Sequence, residues 1–412
     1  MMKARVCVVT AGHLSTCPRM LKAADALAGA GYDVRVVSAN HTPWAAITDR
    51  KVLATRAWAS TVIDYDRDTA RARQVVTGLR FRGARTLSAA LGSGRVPMPL
   101  AIRAYSRLHD ELVSAVSAEP ADFVYGGTTG ALAAVAEAAT QLRVPYGIDF
   151  EDLHSAEYVA DGEVNNALAA RIERQVIAGA AFATAGSPMI ADAYAQTYGV
   201  RPIPVHNTFS ISPPHVAAER RDRPLRLYWF SQTLGIGRGI EEILRGIGKM
   251  GGPAELHLRA RSVRPYLDSL LALQHEVAPN LLIVGHEPAA PDDMVQLAQQ
   301  YDVGIASDEP LGLSRQFCLA NKIFTYLAAG VPVIMSRTPA QATLERSLDG
   351  AAFGYDCGDI DGIAQMLARF SSNPDLLNQA RCAARAAAER RWHWEHPEDR
   401  GALLAAVAGA IR

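Results

Sequence analysis

SRQFCLANKIFTYLAAGVPVIMS, residues 314–336, decides how the rest of the chain is read. It predicts a helix that opens after the loop Leu311-Gly312-Leu313-Ser314, runs to Ala329 and stops at Gly330, followed by the short strand Val331–Met335. Glycine just past a helix, with proline next, is a strong stop signal, because glycine accepts a left-handed backbone and proline cannot continue the helix. Polar Asn321, Lys322 and Thr325 interrupt an otherwise apolar helix. A helix N-terminus presents unpaired N–H groups and the positive end of a dipole, which suits an anion such as a diphosphate. The stretch therefore predicts a ligand-facing helix feeding a buried strand.

Working outward, the same helix-to-strand alternation recurs. Downstream of residue 224, apolar runs at Leu225–Phe230, Glu255–Leu258, Leu281–Val284 and Val303–Ala306 alternate with helical segments. Upstream, Val6–Val9, the loop AGHLSTCP, a helix over 19–30 ending at Gly31 and the strand Val34–Ser38 form a βαβ unit, which implies a parallel sheet. Further strands are expected at Phe123–Tyr125, Tyr146–Phe150, Phe182–Thr184 and Ile203–Val205. The Pro-, Ser- and charge-rich SISPPHVAAERRDRP, residues 210–224, reads as a linker. The fold class expected is α/β, with two Rossmann-like doubly wound parallel-sheet domains over 1–209 and 225–392 facing across a cleft. Ligands of such sheets sit beyond the carboxyl ends of the strands.

Composition narrows the class. A length of 412 residues favours two domains, and 49% hydrophobic with 20% charged residues is globular. Lys+Arg and Asp+Glu are both 42, so nothing in the charge calls for a nucleic-acid partner, and none is expected. Cys7, Cys17, Cys318, Cys357 and Cys382 are odd in number and form no CxxC pair, which suits a reduced cytoplasmic protein and no zinc site. The opening MMKARVCVVTAGH breaks too early for a signal-peptide core, and Val176–Ala191, the longest uncharged run, is too short for a membrane span. One segment stands apart: Arg71 to Arg107 holds eight arginines and no acidic residue, with apolar residues between them. It reads either as a solvated arginine face or as a surface for anionic lipid or a polyanionic acceptor, which would make the protein peripheral on the inner face of a membrane.

The motifs with chemical content lie at strand ends. Gly12 and His13 follow the first strand; one glycine there serves equally as a turn or as a ligand loop. Leu234-Gly235-Ile236-Gly237-Arg238-Gly239 follows the first strand of the second half and opens a helix. Its glycines free the backbone to cradle a pyrophosphate, and Arg238 offers a bidentate cation. Asp149-Phe150-Glu151-Asp152-Leu153-His154 sets acids beside a histidine, suited to a metal, to acid/base work or to a sugar hydroxyl, or with Asp152 as a plain helix N-cap; Gly285-His286-Glu287-Pro288 follows another strand, where a nucleotide base would rest or His286 is a plain loop residue.

The order of these motifs resembles the GT-B glycosyltransferases of the retaining, family-four type, over nearly the whole chain. PRMLKAADALAGAGYDVRVVS is similar to the family's first helix and second strand, with Arg19 and Gly31 in place. FATAGSPMIADAYAQTYGVRPIPVHN is similar to the last N-domain segment, FSQTLGIGRGIEEI to the donor phosphate loop, and YLAAGVPVI to the helix–Gly–Pro–strand element. WHWEHPED with the apolar helix after it is similar to a tail that crosses back, so 393–412 is expected to pack on the N-terminal domain. The resemblance implies that Arg238 neutralises the donor diphosphate, that His154 contacts the transferred sugar, and that Gly12 lies beside the phosphates. The second basic residue of the family is replaced by Ser231-Gln232, and its two glutamates by Phe317 and Thr325. Asn321 and Lys322 resemble a variant branch in which Lys322 supplies the second positive charge, with Glu309 or Asp308 as the carboxylate for sugar hydroxyls.

The expected activity is transfer of a sugar from a nucleotide-diphosphate sugar to a glycan, lipid-linked or small-molecule acceptor, with retention. His154, Arg238 and Lys322 are the catalytic candidates. Gly12, His13, Gln232, Gly235, Gly237, Gly239, His286, Glu309, Ser314, Asn321 and Thr325 are assigned to the donor, and Asp152 to the acceptor side. No metal or other cofactor is expected. The alternatives are an inverting transferase or a nucleotide-sugar epimerase, with His13 as base, and a silent nucleotide-sugar- or glycan-binding partner.

Overall fold

The computed structural model describes residues 3–92, 94–157, 163–213 and 223–411. The chain divides into two compact units, one of residues 1–206, 312–314 and 397–412, the other of 207–311 and 315–396.

The first unit runs β1 (Arg5–Thr10), α1 (Pro18–Gly29), β2 (Asp33–Asn40), α2 (Pro43–Leu53), β3 (Ala59–Asp64), α3 (Arg71–Leu91), α4 (Met98–Tyr105) and α5 (His109–Ser117). It continues with β4 (Phe123–Gly127), α6 (Leu132–Leu142), β5 (Tyr146–Phe150), α7 (Glu163–Gly179), β6 (Phe182–Ala185), α8 (Pro188–Tyr198) and β7 (Ile203–Pro204). All seven strands are parallel, in the order β3-β2-β1-β4-β5-β6-β7. The chain winds outward in both directions from the β1/β4 pair, the switch point at which such sheets open a crevice. Val6 to Val9 are all buried, as a strand covered on both faces requires.

A buried ion pair ties this unit together. Arg19 on α1 donates to both oxygens of Asp149 at the end of β5 and, at 2.6 Å, to the carbonyl of Val205. Thr184 on β6 donates to Asp149 and meets the Tyr125 hydroxyl of β4 at 2.8 Å. Every polar group of the cluster has a partner, which a buried charge pair needs to be tolerated.

The second unit contains β8 (Leu225–Leu234), α9 (Ile240–Met250), β9 (Ala254–Ser262), α10 (Arg264–Val277), β10 (Leu282–His286), α11 (Met294–Ala298) and β11 (Val303–Ala306). Then follow α12 (Gly312–Phe317), whose first three residues group with the first unit, α13 (Asn321–Ala329), β12 (Val333–Ser336), α14 (Pro339–Glu345), β13 (Ala352–Tyr355), α15 (Ile360–Ser372) and α16 (Pro374–Arg390). Its strands are parallel in the order β10-β9-β8-β11-β12-β13. Ile240, Ile243, Leu244 and Ile247 recur at helical spacing and are buried, so α9 lays one apolar stripe on the sheet. The chain then returns to the first unit as α17 (Ala402–Ile411), preceded by Asp399, which accepts from the backbone N–H of His206 and meets its Nδ1.

The doubly wound α/β reading holds for both units. The helix expected over 314–329 is instead two, α12 and α13, parted at Cys318–Ala320. Leu319 and Ala320 pack on the core at the break, and extended Ala320 opens α13 one residue before Asn321. The helix end is as expected: Gly330 has φ +68° and Val331 N–H returns to Tyr326 O at 2.9 Å. β3 and β13 carry no sequence-based expectation. Of the expected linker, residues 214–222 lie outside the described residues; Ser212 runs along the second unit, its carbonyl accepting from Arg385.

Asp149→Ala should cost about 3–5 kcal/mol, the usual penalty for leaving a buried charge unpaired. Denaturant unfolding measures it. Replacing Arg19 and Asp149 together with apolar residues should recover a large part of the loss, and failure to do so would mean that the pair is not the source.

Candidate active site

In the second unit two cations converge on one carboxylate. Arg238 Nη1 lies 3.5 Å from Asp308 Oδ1, and Lys322 Nζ lies 3.5 Å from Asp308 Oδ2. The loop carrying Arg238 is set by its glycines: Gly237 and Gly239 have φ +77° and +66°, and a side chain on Gly237 would strike Leu311. Ser307 donates to Arg238 O at 2.7 Å, while Glu309 N–H and Arg315 donate to Gly237 O. The loop is thereby stitched to the segment following β11. Asp308 is held by a reciprocal pair with Ser336, whose hydroxyl accepts from Asp308 N–H and donates to Asp308 O.

Lys322 is buried, the second residue of α13, with its Nζ 5.6 Å from the Trp229 ring centroid. Burial pushes its pKa down; Asp308 opposes that shift and Arg238 adds to it. Asn321 opens the helix at its side. Glu309 is half-buried beside Asp308, and Gly235 lies in the same loop. Ser314 is buried within α12.

Three donor-side candidates have surroundings of their own. Thr325 is fully buried and donates to Asn321 O at 3.2 Å, so its hydroxyl is spent on its own helix. Gln232 is exposed where β8 shifts register against β9, between Phe230 and Thr233. His286 is the last residue of β10, and its Nε2 lies 2.9 Å from His257 Nδ1, whose Nε2 meets Glu255. Burial lowers the His286 pKa, with Arg259 and His257 adding to it, so the ring stays neutral inside that chain.

In the first unit His154 is buried just past β5. Its Nδ1 lies 3.3 Å from Thr129 Oγ1 and 3.4 Å from Glu157 Oε2, while its buried Nε2 has no hydrogen-bond partner among the described residues. Burial lowers the imidazole pKa, but Glu157, Glu173 and Asp152 outweigh it and raise the value to about 9. A pKa raised in this way favours the imidazolium at neutral pH, in which Nε2–H has no partner among the described residues. Burial, with Asp152 beside it, pushes Glu151 up to about 7; burial also raises Asp152, against the pull of His154.

Glu173 on α7, for which no sequence motif spoke, holds this loop. It accepts from Ser155 N–H, Tyr194 and Tyr198 at 3.0, 2.6 and 2.8 Å. Thr129 and Glu157 escaped sequence reading for the same reason: the fold, not a spacing, brings them to His154.

His13 is corrected most firmly. Its Nε2 accepts the backbone N–H groups of His41 and Thr42, both at 3.1 Å, so Nδ1 donates to Asp49 at 2.7 Å. No lone pair is left to take a proton, which removes the base of the inverting alternative. Gly12, beside it, accepts from Ala39 N–H. Past β2 and β3, His41 stacks on Tyr65 at 5.2 Å and Arg107 lies 5.1 Å from the Tyr65 ring, a polar aromatic column that no motif signalled.

Two family models match the chain, one described as a glycosyl transferase 4-like domain over residues 18–207 and the other as glycosyl transferase-like over 264–399. No curated protein matches significantly. Among solved structures, Anabaena Alr3699/HepE in complex with UDP and glucose is similar at 14% identity and TM-score 0.69, covering 99% of each chain. Sucrose-phosphate synthase from Thermosynechococcus elongatus is similar at 12% identity and TM-score 0.63, covering 100% of each. An S. aureus TarM variant in complex with Fondaparinux, alpha-GlcNAc-glycerol and UDP is similar at 8% identity and TM-score 0.66, again covering 100% of each. The fold is that of the GT-B transferases.

His154 should leave a pH signature. Its folded-state pKa of about 9 lies above the ordinary 6.5, so the stabilisation is fully present below pH 6.5 and is lost as pH rises through about 9. Thermal unfolding followed across this window should show the decline, and Glu157→Gln should flatten it. An identical slope in the variant would refute the assignment.

Proposed function

We propose that this glycosyltransferase, with its two transferase domains, moves a sugar from a nucleotide-diphosphate sugar to an acceptor with retention of configuration. The observation that carries the reading is the convergence of Arg238 and Lys322 on Asp308. Two cations held on one carboxylate beside a glycine loop are ready to exchange that partner for a diphosphate. As the bond from the anomeric carbon to the diphosphate oxygen breaks, they would stabilise the charge left on that oxygen. The acceptor oxygen bonds to the anomeric carbon, and its proton passes to the departing diphosphate. No protein base and no metal are required in this scheme.

His154 would donate its Nε2–H, which has no partner among the described residues, to a sugar hydroxyl. Asp152 and the His41–Tyr65 column are the acceptor-side candidates, for a glycan, a lipid-linked or a small acceptor. UDP is the first nucleotide to test, since it occupies the similar HepE and TarM structures. Five free cysteines suit a reducing, cytoplasmic compartment. Among the described residues no helix is long and apolar enough to cross a membrane.

Thermal-shift measurements with UDP, GDP, ADP and TDP should single out one nucleotide, since a ligand of the folded state raises its melting point. Arg238→Ala and Lys322→Ala should each lower turnover by about 100-fold, the scale of losing one charge-stabilising donor, with little change in melting point for Arg238→Ala. Unchanged turnover in both would sink the reading. Nucleotide binding without release in the presence of an acceptor panel would point to the silent binding partner.

A further inference from the structure

We infer that α3 is a membrane-docking helix that lies in the surface of a bilayer containing anionic lipid. The helix has 21 residues, about 31 Å, and its polarity is inverted. The residues it buries against the unit are small or polar: Thr77, Gly78, Ala84 and Ser88. Apart from half-buried Phe81, its large apolar residues are exposed, Val76 and Leu79 each 59% and Leu87 56%, joined by Val75 and Leu91. A helix whose purpose was to stabilise a soluble domain would turn that stripe inward.

The polar side is what holds the helix in place. Arg107 reaches across to donate to Thr77 Oγ1 and Gln74 O, and Arg80 pairs with Asp110 and Glu111. With those anchors made, the outward apolar stripe is no accident of a loosely attached helix.

Charge identifies what covers the stripe. At 100° per residue, Ala72, Val75, Val76, Leu79, Gly83, Leu87 and Ala90 form one outward band. Arg71, Arg82 and Arg85 flank it on one side and Arg73 on the other. All four arginines are exposed. No carboxylate makes an ion pair with Arg71, Arg82, Arg85 or, just past the helix, Arg95, among the described residues. From Arg71 to Arg107 the chain has no acidic residue at all. An apolar band flanked by three exposed arginines on one side and one on the other matches the boundary between acyl chains and anionic head groups. There the band sinks in and the long arginine side chains reach up to the phosphates. A protein partner would need carboxylates set along the edges of an apolar groove; an anionic bilayer presents that pattern everywhere.

The test is co-sedimentation of the full chain with phosphatidylglycerol–phosphatidylcholine vesicles, against phosphatidylcholine alone, at several salt concentrations. The anionic vesicles should bind the protein, and binding should weaken as salt rises. Val76→Asp with Leu79→Asp should lower partitioning by at least about tenfold, and each of Arg82→Ala and Arg85→Ala by about fivefold. These positions are exposed, so the melting point should not move, and that measurement separates lost docking from lost folding. The inference does not depend on nucleotide binding, so either can fail alone. Failure to bind anionic vesicles overturns it, as does binding that the aspartate variant leaves intact. A dimer dissolved by Leu79→Asp would mean that a second copy covers the face. Equal affinity of wild type and aspartate variant for a soluble polyanion, with no vesicle binding, would mean a polyanion site instead.

Discussion

The buried pairing of Arg19 with Asp149 is the constraint on which the first unit depends. Once the guanidinium leaves water, its nitrogens need acceptors, and each of the three finds one, on β5 or just past β7. Asp149 in turn takes Thr184, which meets Tyr125, so four parallel segments and α1 are locked to one register around a single charge pair. The loop that leaves β5 inherits this fixed origin. Glu173 then pins the loop through Ser155, Tyr194 and Tyr198, and Phe150 stacks on Tyr194 at 4.1 Å. His154 is oriented by these contacts, with Nδ1 toward Thr129 and Glu157 and, among the described residues, no partner for Nε2.

The second unit solves a related problem with the opposite outcome. Arg238 and Lys322 repel one another, and burial of Lys322 adds the cost of desolvation. Asp308 offsets both terms, but at 3.5 Å from each cation its contacts are looser than those around Asp149. A carboxylate that compensates two charges without saturating their hydrogen-bonding capacity leaves donors free for another anion; under the proposed function that anion is the diphosphate. The contrast between a closed ion pair and an open one separates scaffold from site.

Much of the architecture was legible because it rests on local rules. Buried parallel strands must be short apolar runs, helices must stop where glycine can turn left-handed, and a glycine loop after a strand must open a helix. Val6–Val9, Gly330 and Gly235–Gly239 satisfied each in turn. Locally ambiguous features were misread. The helix break at Cys318–Ala320 has no glycine or proline to mark it; it follows from packing Leu319 and Ala320 on the core. Thr325 looked polar and therefore available, yet its hydroxyl bonds backwards along α13.

The sequence by itself determined the two parallel-sheet units, the glycine loop with Arg238, and the composition of α3, because periodicity and backbone conformation are properties of neighbouring residues. Only the tertiary structure decided which groups are in use. His13 and His154 are both histidines just past a strand, but the fold closes both nitrogens of one and, among the described residues, gives Nε2 of the other no partner. Only the fold shows that α3 turns its apolar side to solvent. The physical reason is common to these cases: hydrogen-bond partners, burial and charge balance depend on residues far apart in the chain, and no local pattern encodes them.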